Sequence, residues 1–444
     1  MRFLILVLAA SVALLLCQLS GAAIAKDGDL FQLIDREKER ENVSKGMQAA
    51  ELLLKLIRSN EFHAVLDFIG TVGGPIAGTV TGVLKLIIGG GNGGSSDSED
   101  LKFARQAFAE INSKLESFTN EFREVKELID WSAIQVSYGT YERSIRAMKT
   151  QLQLLIEAPS SSTEDLRKQF VMKYESDFQN AAEKIYDGIV NGDMIFTRNL
   201  LEASAKYTSN HRKQVQMFGL GLTQLLLQAV EIQMAYYDLK YSNQETTDYI
   251  KRVWDNRLMA VKAKMSDFDD TLVSRWVTQV PIDAERLVQD FKNMPNNELA
   301  LKLLHTRLTE KFYWRVFGIA VYKDISGADK HAYSYCQGYK KLAYAGKNVV
   351  LSSVDKEKSS FDKLRANELL KSLKPTEKDA SHILALLNRA DGDLTGTCRH
   401  SQMKLVTVEN SALQLAIFNS HAVMEKICVS SFWGTTCYNS LIFG

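Results

Sequence analysis

Proline is scarce in this sequence, which has only five prolines in 444 residues. Hydrophobic residues make up 45% of the chain, so the composition argues against a disordered protein and predicts an ordered, mainly helical one. An excess of either charge is also missing, since 54 basic residues stand against 53 acidic ones. This balance argues against nucleic acid, a polybasic membrane-docking surface or an acidic mineral-binding tail as the organising feature.

Recognisable catalytic motifs are missing as well. The sequence contains no GxSxG, HExxH or P-loop motif, and its seven histidines are scattered singly. We therefore predict that the protein is not an enzyme and has no cofactor and no metal site. One stretch resembles a calcium loop, because Asp391, Asp393, Thr395 and Gly396 match the opening of an EF-hand. Its twelfth position is Gln402 instead of glutamate, which favours an ordinary Asp-Gly turn.

The N-terminus has the pattern of a secretory signal. Met1 and Arg2 form a short basic start, Phe3 to Leu16 is an uncharged apolar run, and Ala23-Ile24-Ala25 offers a cleavage site. The apolar run is too short for a membrane anchor, so we expect Lys26 to be the first residue of a secreted, extracellular protein. Removal of Arg2 leaves 53 basic residues against 53 acidic ones.

Cysteine is sparse and unevenly placed. Cys17 lies within the predicted signal, and the other four cysteines lie in the last quarter of the chain, at a spacing that fits no zinc site. In a secreted protein they predict two disulfides, with three pairings open. A tight turn at Trp433-Gly434 favours one bridge across it, which leaves the other two cysteines to pair. The four candidates are Cys336, Cys398, Cys428 and Cys437.

Helical periodicity runs through the first 280 residues. A short amphipathic helix is predicted over Asn42–Asn60, and Asn42 begins the one N-glycosylation sequon. A four-heptad apolar seam from Leu101 to Ile129 and a second seam from Ile134 to Leu155 predict two long helices. Further helices are predicted over Leu166–Ile189 and Thr246–Val277.

One predicted helix is apolar on nearly all sides. Between Val215 and Tyr237 the only charged residue is Glu231, so the stretch could be mistaken for a membrane span. Its four glutamines and the glutamate favour a buried central helix of a bundle.

The pattern changes near Phe312. Three β-branched and aromatic runs predict strands over Trp314–Tyr322, Asn348–Val354 and Val406–Phe418, and helices are predicted near Phe361–Leu373 and Thr376–Arg389. The predicted fold class is mainly α, with an N-terminal long-helix bundle followed by a smaller α+β, disulfide-bearing C-terminal domain. The predicted segments are the signal (1–25), an N-terminal helical segment (26–63), a glycine-rich apolar hairpin and joint (64–96), the bundle (97–280), connecting helices (281–311) and the α+β domain (312–444).

The glycine-rich segment allows two interpretations. Phe68 to Leu84 contains no charged residue, and Pro75 favours two short apolar helices over a single one. The four glycines would form one close-packing face, either inside the core or in a bilayer. The uncharged part is only just long enough for a membrane, so both a buried hairpin and a membrane-active segment stay open. The glycines are Gly70, Gly74, Gly78 and Gly82.

The order of these elements is similar to that of a known group. The heptad helix "LKFARQAFAEINSKLESFTNEFREVKELI" and the block "FYWRVFGIAVYKDISGADKHAYSYC" resemble the cephalotoxin-like and rapunzel-like secreted proteins of fish and marine invertebrates. The resemblance covers roughly Leu101 to Leu351. It implies a secreted helical scaffold and no catalytic residues. Cephalotoxin is a secreted salivary toxin, but it is a longer chain with additional modules, so toxicity is not implied here.

Two functions follow as alternatives. The first is a toxin-like protein that interacts with lipid membranes through Ala64–Ile88. The second is a structural or interaction component of an extracellular matrix, including a mineral-associated one. The expected partners are accordingly a lipid membrane or matrix proteins, without nucleic acid, and an oligomer is allowed.

Overall fold

The computed structural model describes residues 38–45, 48–49, 51–52, 62–67, 82–85, 102–103, 105–106, 109, 132–159, 161–178, 180–191, 199–241, 243–335, 341–357, 361–392, 402–416 and 420–444. The predicted signal, the glycine-rich joint and most of the first heptad seam lie outside these residues. The helices are α1 (Ser132–Glu157), α2 (Thr163–Lys173), α3 (Ala181–Val190), α4 (Leu200–Tyr207), α5 (Arg212–Tyr241), α6 (Gln244–Ser274), α7 (Trp276–Leu287), α8 (Asn297–Lys311), α9 (Lys363–Ser372) and α10 (Ala380–Asp391). The strands are β1 (Arg315–Lys323), β2 (His331–Tyr335), β3 (Lys341–Tyr344), β4 (Lys347–Asp355), β5 (Met403–Val408), β6 (Gln414–Ala416), β7 (Ala422–Ser431) and β8 (Gly434–Phe443).

The described residues form two compact units. The first, called the helical unit, takes them from Met1–Arg123, Ser132–Thr197 and Leu220–Lys264. The second, called the mixed unit, takes them from Arg198–Gly219 and Met265–Gly444. The predicted fold class is confirmed, because long helices are followed by a smaller region of helices and strands that contains a disulfide.

The helical unit buries the second predicted seam. In α1, Ile145, Met148, Leu152 and Leu155 are at most 1% exposed, whereas the neighbouring Leu154 is 47% exposed. The alternation of three- and four-residue steps therefore marks the core face of this helix.

The apolar helix α5 is buried as well. It is long and apolar enough to cross a membrane, with a mean hydropathy of 1.3 over its most apolar stretch, but 89% of that stretch is buried inside the protein. Its glutamines find partners in the core, as Gln233 accepts a 2.8 Å hydrogen bond from Trp254 Nε1. The interpretation of this stretch as a core helix is confirmed.

A single helix over Leu166–Ile189 is the wrong prediction. α2 ends at Lys173, a π-helical turn follows over Tyr174–Phe178, and α3 starts at Ala181. Apolar side chains spaced by four residues drift about 40° per step around an α-helix of 3.6 residues per turn. The wider π turn corrects this drift, so that Tyr174 and Phe178 are both buried, and Tyr174 stacks on Tyr236 with ring centroids 3.8 Å apart.

The mixed unit contains two antiparallel four-stranded sheets between helices. One sheet has the order β3-β4-β1-β6 and the other has the order β2-β5-β8-β7. Val316, Tyr322, Leu405 and Phe443 pack together between the sheets. α7 and α8 cover the outer face of the first sheet, and α9 and α10 cover that of the second. At Gly318 an added Cβ would lie 2.6 Å from Phe443 Cγ, so this close approach of the sheets requires glycine.

The predicted strand over Val406–Phe418 is divided between the two sheets. β5 belongs to one sheet and β6 to the other, with a 3₁₀ turn at Glu409–Ser411 between them. Ala412 adopts a positive φ of 51° after this turn, which redirects the chain. The runs at Trp314–Tyr322 and Asn348–Val354 became β1 and β4, which pair in register with Ile319 opposite Leu351.

Candidate functional site

The described ends of the glycine-rich segment are buried in the helical unit. Val65, Val83 and Leu84 are fully buried, and a Cβ added at Gly82 would lie 3.1 Å from both Glu39 Oε2 and Val43 Cγ2. The charges that border the segment are paired, Lys85 with Glu39 at 3.1 Å and Asp67 with Lys262 at 2.8 Å. Gly70, Gly74 and Gly78 lie outside the described residues, so the membrane-active interpretation of that part stays a prediction.

Two further sequence candidates lie on helices. Asn42 is half-buried within the helical stretch 38–45, and its Nδ2 donates a 3.4 Å hydrogen bond to Glu39. Glycosylation of Asn42 stays a prediction. Asp391 is the last residue of α10 and is 2% exposed. Its carboxylate lies 2.9 Å from the ammonium of Lys404 and 3.7 Å from Arg365, so these cations neutralise the charge that a calcium ion would need.

The rest of the stretch that resembles a calcium loop, Asp393 to Gly396, lies outside the described residues. Gly392, with a φ of 75°, ends α10 as a left-handed cap. Within the part of the chain that the structure describes, no three His, Cys, Asp or Glu side chains are grouped closely enough to hold a metal ion.

The structure joins Cys428 to Cys437 by a disulfide, as the tight turn at Trp433-Gly434 predicted. The two cysteines lie directly opposite each other on β7 and β8, with their Cα atoms 4.0 Å apart. Cys336 and Cys398 lie outside the described residues, so their pairing stays a prediction.

Beyond the disulfide, the β7–β8 hairpin ends in two exposed aromatic side chains. Phe432 is 95% exposed and Trp433 is 89% exposed. The two rings form an edge-to-face pair, with centroids 5.5 Å apart and planes 85° apart. We call Ser431–Gly434 the aromatic tip. Large rings with this exposure are unusual on a folded surface and indicate a site of contact.

Several contacts hold the aromatic tip in place. The strands pair up to Ser431 and Gly434, and Gly434 adopts a φ of 114° that favours glycine. The hydroxyl groups of Ser430 and Thr435 lie 3.0 Å apart across the strands. Lys378, in the α9–α10 loop, donates a 2.5 Å hydrogen bond to the carbonyl oxygen of Gly434. The aromatic tip therefore projects from the surface in a conformation that strand pairing and hydrogen bonds hold in place.

The base of the hairpin is anchored in the core of the mixed unit. Ile427, Val429 and Tyr438 are at most 8% exposed and pack against α9 and α10. Because β7 alternates between this buried face and the solvent, the strand pairing holds the tip away from the core.

The hairpin tip and the strand that follows it carry no charge. From Ile427 to Gly444, eighteen residues, the sequence has no Asp, Glu, Lys or Arg. This uncharged run contains Phe432-Trp433 between cysteines nine residues apart, a pattern visible in the sequence. Our sequence interpretation used the turn only to pair cysteines and missed the aromatic tip, because exposure depends on what packs around the turn.

Glu231 is the most perturbed carboxyl group of α5. It is 4% exposed, and none of the described residues gives its Oε1 a hydrogen bond. Burial raises the pKa of Glu231 to about 7, and the charge of Lys149 offsets only part of this effect. A side chain so enclosed does not contact a substrate, so we interpret the raised pKa as a contribution to the pH dependence of stability.

Comparison with known proteins shows what part of the chain is similar to a known family. Residues 93–294 match the family described as "Cephalotoxin-like middle helical domain". Protein rapunzel of Danio rerio is 21% identical over 219 residues, which cover 48% of this chain and 90% of that protein. No solved structure matches the chain. The resemblance to the cephalotoxin-like and rapunzel-like proteins is therefore confirmed, and for the cephalotoxin-like family it extends over residues 93–294.

Proposed function

We propose that this is a secreted, non-enzymatic, toxin-like protein that binds lipid membranes and makes its first contact through Phe432 and Trp433. The exposure of these two rings on a disulfide-linked hairpin is the observation that carries the proposal. Aromatic side chains are favoured at the membrane–water interface, where the ring leaves water and the Trp N–H still finds a hydrogen-bond partner. The hairpin lies outside residues 93–294, so the family match does not assign this contact.

The size of the aromatic tip favours a membrane over a protein partner. A stable protein interface needs about 800 Å² on each side, and two projecting side chains do not provide that area. Full burial of each ring contributes about 1.5–3 kcal/mol, so both together would give about 3–6 kcal/mol. This energy suits reversible attachment, and several copies on one surface would bind more firmly.

In this proposal the glycine-rich segment enters the bilayer only after the aromatic tip has made the first contact. The described flanks around Val65 and Leu84 are buried, so the segment would have to leave the core before it entered a bilayer. The aromatic tip is already exposed and needs no such change. A matrix component that binds other proteins is the alternative function, and it does not require the tip to meet lipid.

Vesicle binding by the full mature chain tests the proposal. We expect the wild-type protein to co-sediment with liposomes and brominated acyl chains to quench Trp433. The double variant F432S/W433S should bind at least tenfold more weakly, because both rings are lost. L364S is the matched control, since Leu364 is 79% exposed at the far end of α9 and should not affect binding.

Two outcomes would contradict the proposal. A wild-type protein that does not sediment with any vesicle would favour the matrix function. Equal binding by the double variant and the wild-type protein would move the contact away from the hairpin.

A further inference from the structure

The surroundings of the aromatic tip indicate which membrane surface it fits. Hydroxyl side chains flank the two rings along β7 and β8, with Ser430, Ser431 and Thr435 exposed and Thr436 half-buried. Hydroxyl groups donate hydrogen bonds to phosphate and ester oxygens without adding charge. This collar therefore suits the polar layer of a bilayer, whatever the charge of that bilayer.

Positively and negatively charged side chains are present in similar numbers next to the hairpin. Lys378 is bound to the Gly434 carbonyl oxygen, and the α9–α10 loop contains two cations, Lys374 and Lys378, and two carboxylates, Glu377 and Asp379. A hydrogen bond from the Ser381 hydroxyl lowers the pKa of Asp379, so this group is ionised at neutral pH. On β7 the nearest cation, Lys426, pairs with Glu409 at 2.5 Å. No cluster of unpaired basic residues surrounds the tip in the described part of the hairpin and the α9–α10 loop.

We infer that the aromatic tip binds zwitterionic, phosphocholine-type bilayers without any need for anionic lipid; this inference rests on the proposed function. Recognition of anionic membranes relies on clustered lysines and arginines, and the tip has none to offer. A phosphocholine headgroup carries a phosphate beside a quaternary ammonium. Lys378 carries the charge that complements the phosphate, and the exposed carboxylate of Glu377 carries the charge that complements the ammonium. Asp379, by contrast, caps α10 by accepting from the backbone N–H of His382.

Two vesicle compositions at two salt concentrations test this inference. Pure phosphatidylcholine vesicles and vesicles with one-fifth phosphatidylserine should bind the wild-type chain with affinities within about twofold of each other. Raising the salt from 50 to 500 mM should leave binding nearly unchanged, because screening acts on charge and leaves ring burial intact. Binding that requires phosphatidylserine, or that falls tenfold in high salt, would overturn the inference and leave the proposed function standing. Absence of binding to both compositions would instead contradict the proposed function.

A charge added at the collar gives an independent test. T435K places one unpaired ammonium beside the rings and should favour the phosphatidylserine vesicles by about fivefold. T435Q changes the same position without charge and should show no preference. If T435K binds both vesicle types equally well, residue 435 does not face the headgroups and the inference is wrong.

Discussion

Glu231 shows how one residue can change the energetics of a whole helix. It is the only charged residue between Val215 and Tyr237, and it lies in the core of the helical unit. Its folded-state pKa of about 7 lies above the ordinary value of 4.5, so folding favours the protonated form. Stability from this group is fully present below about pH 4.5 and is lost as the pH rises to about 7.

The variant E231Q should therefore be more stable than the wild-type protein at pH 8. Each pKa unit corresponds to 1.36 kcal/mol, so we expect the free energy of unfolding to rise by up to about 3 kcal/mol at pH 8 and to change little at pH 4.5. Urea unfolding at pH 4.5, 6, 7 and 8 measures the difference between variant and wild type. The control E245Q removes an exposed carboxylate at the start of α6 and should show no such trend. A pH-independent difference for E231Q would show that folding does not raise the pKa of Glu231.

Asp391 is a second residue at which a sequence motif alone does not predict a metal site. Its spacing matched a calcium loop, and only the fold brought Lys404 from β5 to within 2.9 Å of its carboxylate. The sequence predicted a helix that ends at Arg389, and the structure extends this helix to Asp391, which Gly392 follows. The partner lies on a strand beyond the helix, and no local sequence pattern indicates the pairing.

Among the described elements, the β7–β8 hairpin is the one that a disulfide links. Its strands pair from Ala422 and Phe443 to Ser431 and Gly434, and β7 is an edge strand. An edge strand has hydrogen-bonded neighbours on one side only, so its outer end opens more easily than a central strand. The disulfide lies three residue pairs below the outermost pair and limits this opening.

Removing the disulfide should destabilise the mixed unit. We expect C428S/C437S to lower the free energy of unfolding by about 2–3 kcal/mol, from the chain entropy of a short loop. Membrane binding should weaken too, because the rings are then held less firmly. Urea unfolding monitors stability, and vesicle sedimentation monitors binding. The control T435A loses only the hydroxyl pair and should cost less than about 1 kcal/mol. A serine variant as stable as the wild-type protein would show that the strand pairing alone holds the hairpin.

Prediction of the other elements from sequence succeeded where one periodicity persists. α1 follows its apolar seam closely, because every fourth or third side chain meets the same core. It failed at the π turn of Tyr174–Phe178 and at the sheet change near Ala412. Both features depend on the packing of distant residues, which the local pattern does not contain.

At the scale of the whole molecule, the two units have different kinds of core. The helical unit is built from apolar helix faces such as those of α1 and α5. The mixed unit has apolar layers between its two sheets and between each sheet and its helices. The boundary between the units falls inside α5, at Gly219–Leu220, and inside α6, at Lys264–Met265. Each of these long helices therefore supplies residues to both units.

Secretion is the prediction that concerns the whole chain. We expect N-terminal sequencing of protein recovered from the medium of a eukaryotic expression host to begin at Lys26, because Ala23 and Ala25 supply the small side chains that signal peptidase accepts. The variant A25W should shift or block the cleavage, while I24W should be tolerated. Secreted material that begins at Met1 would contradict the signal, and protein that stays inside the cell would contradict the extracellular function.

The sequence by itself determined the helical class, the buried face of α1, the buried nature of α5 and the close pairing of Cys428 with Cys437. These features depend on residues near one another in the chain, whose spacing fixes which side chains share a face. Only the tertiary structure decided that Asp391 pairs with Lys404, that β5 and β6 join different sheets and that Phe432 and Trp433 remain exposed. Exposure and ion pairing depend on which distant segments pack nearby, and an isolated stretch of sequence does not contain that information.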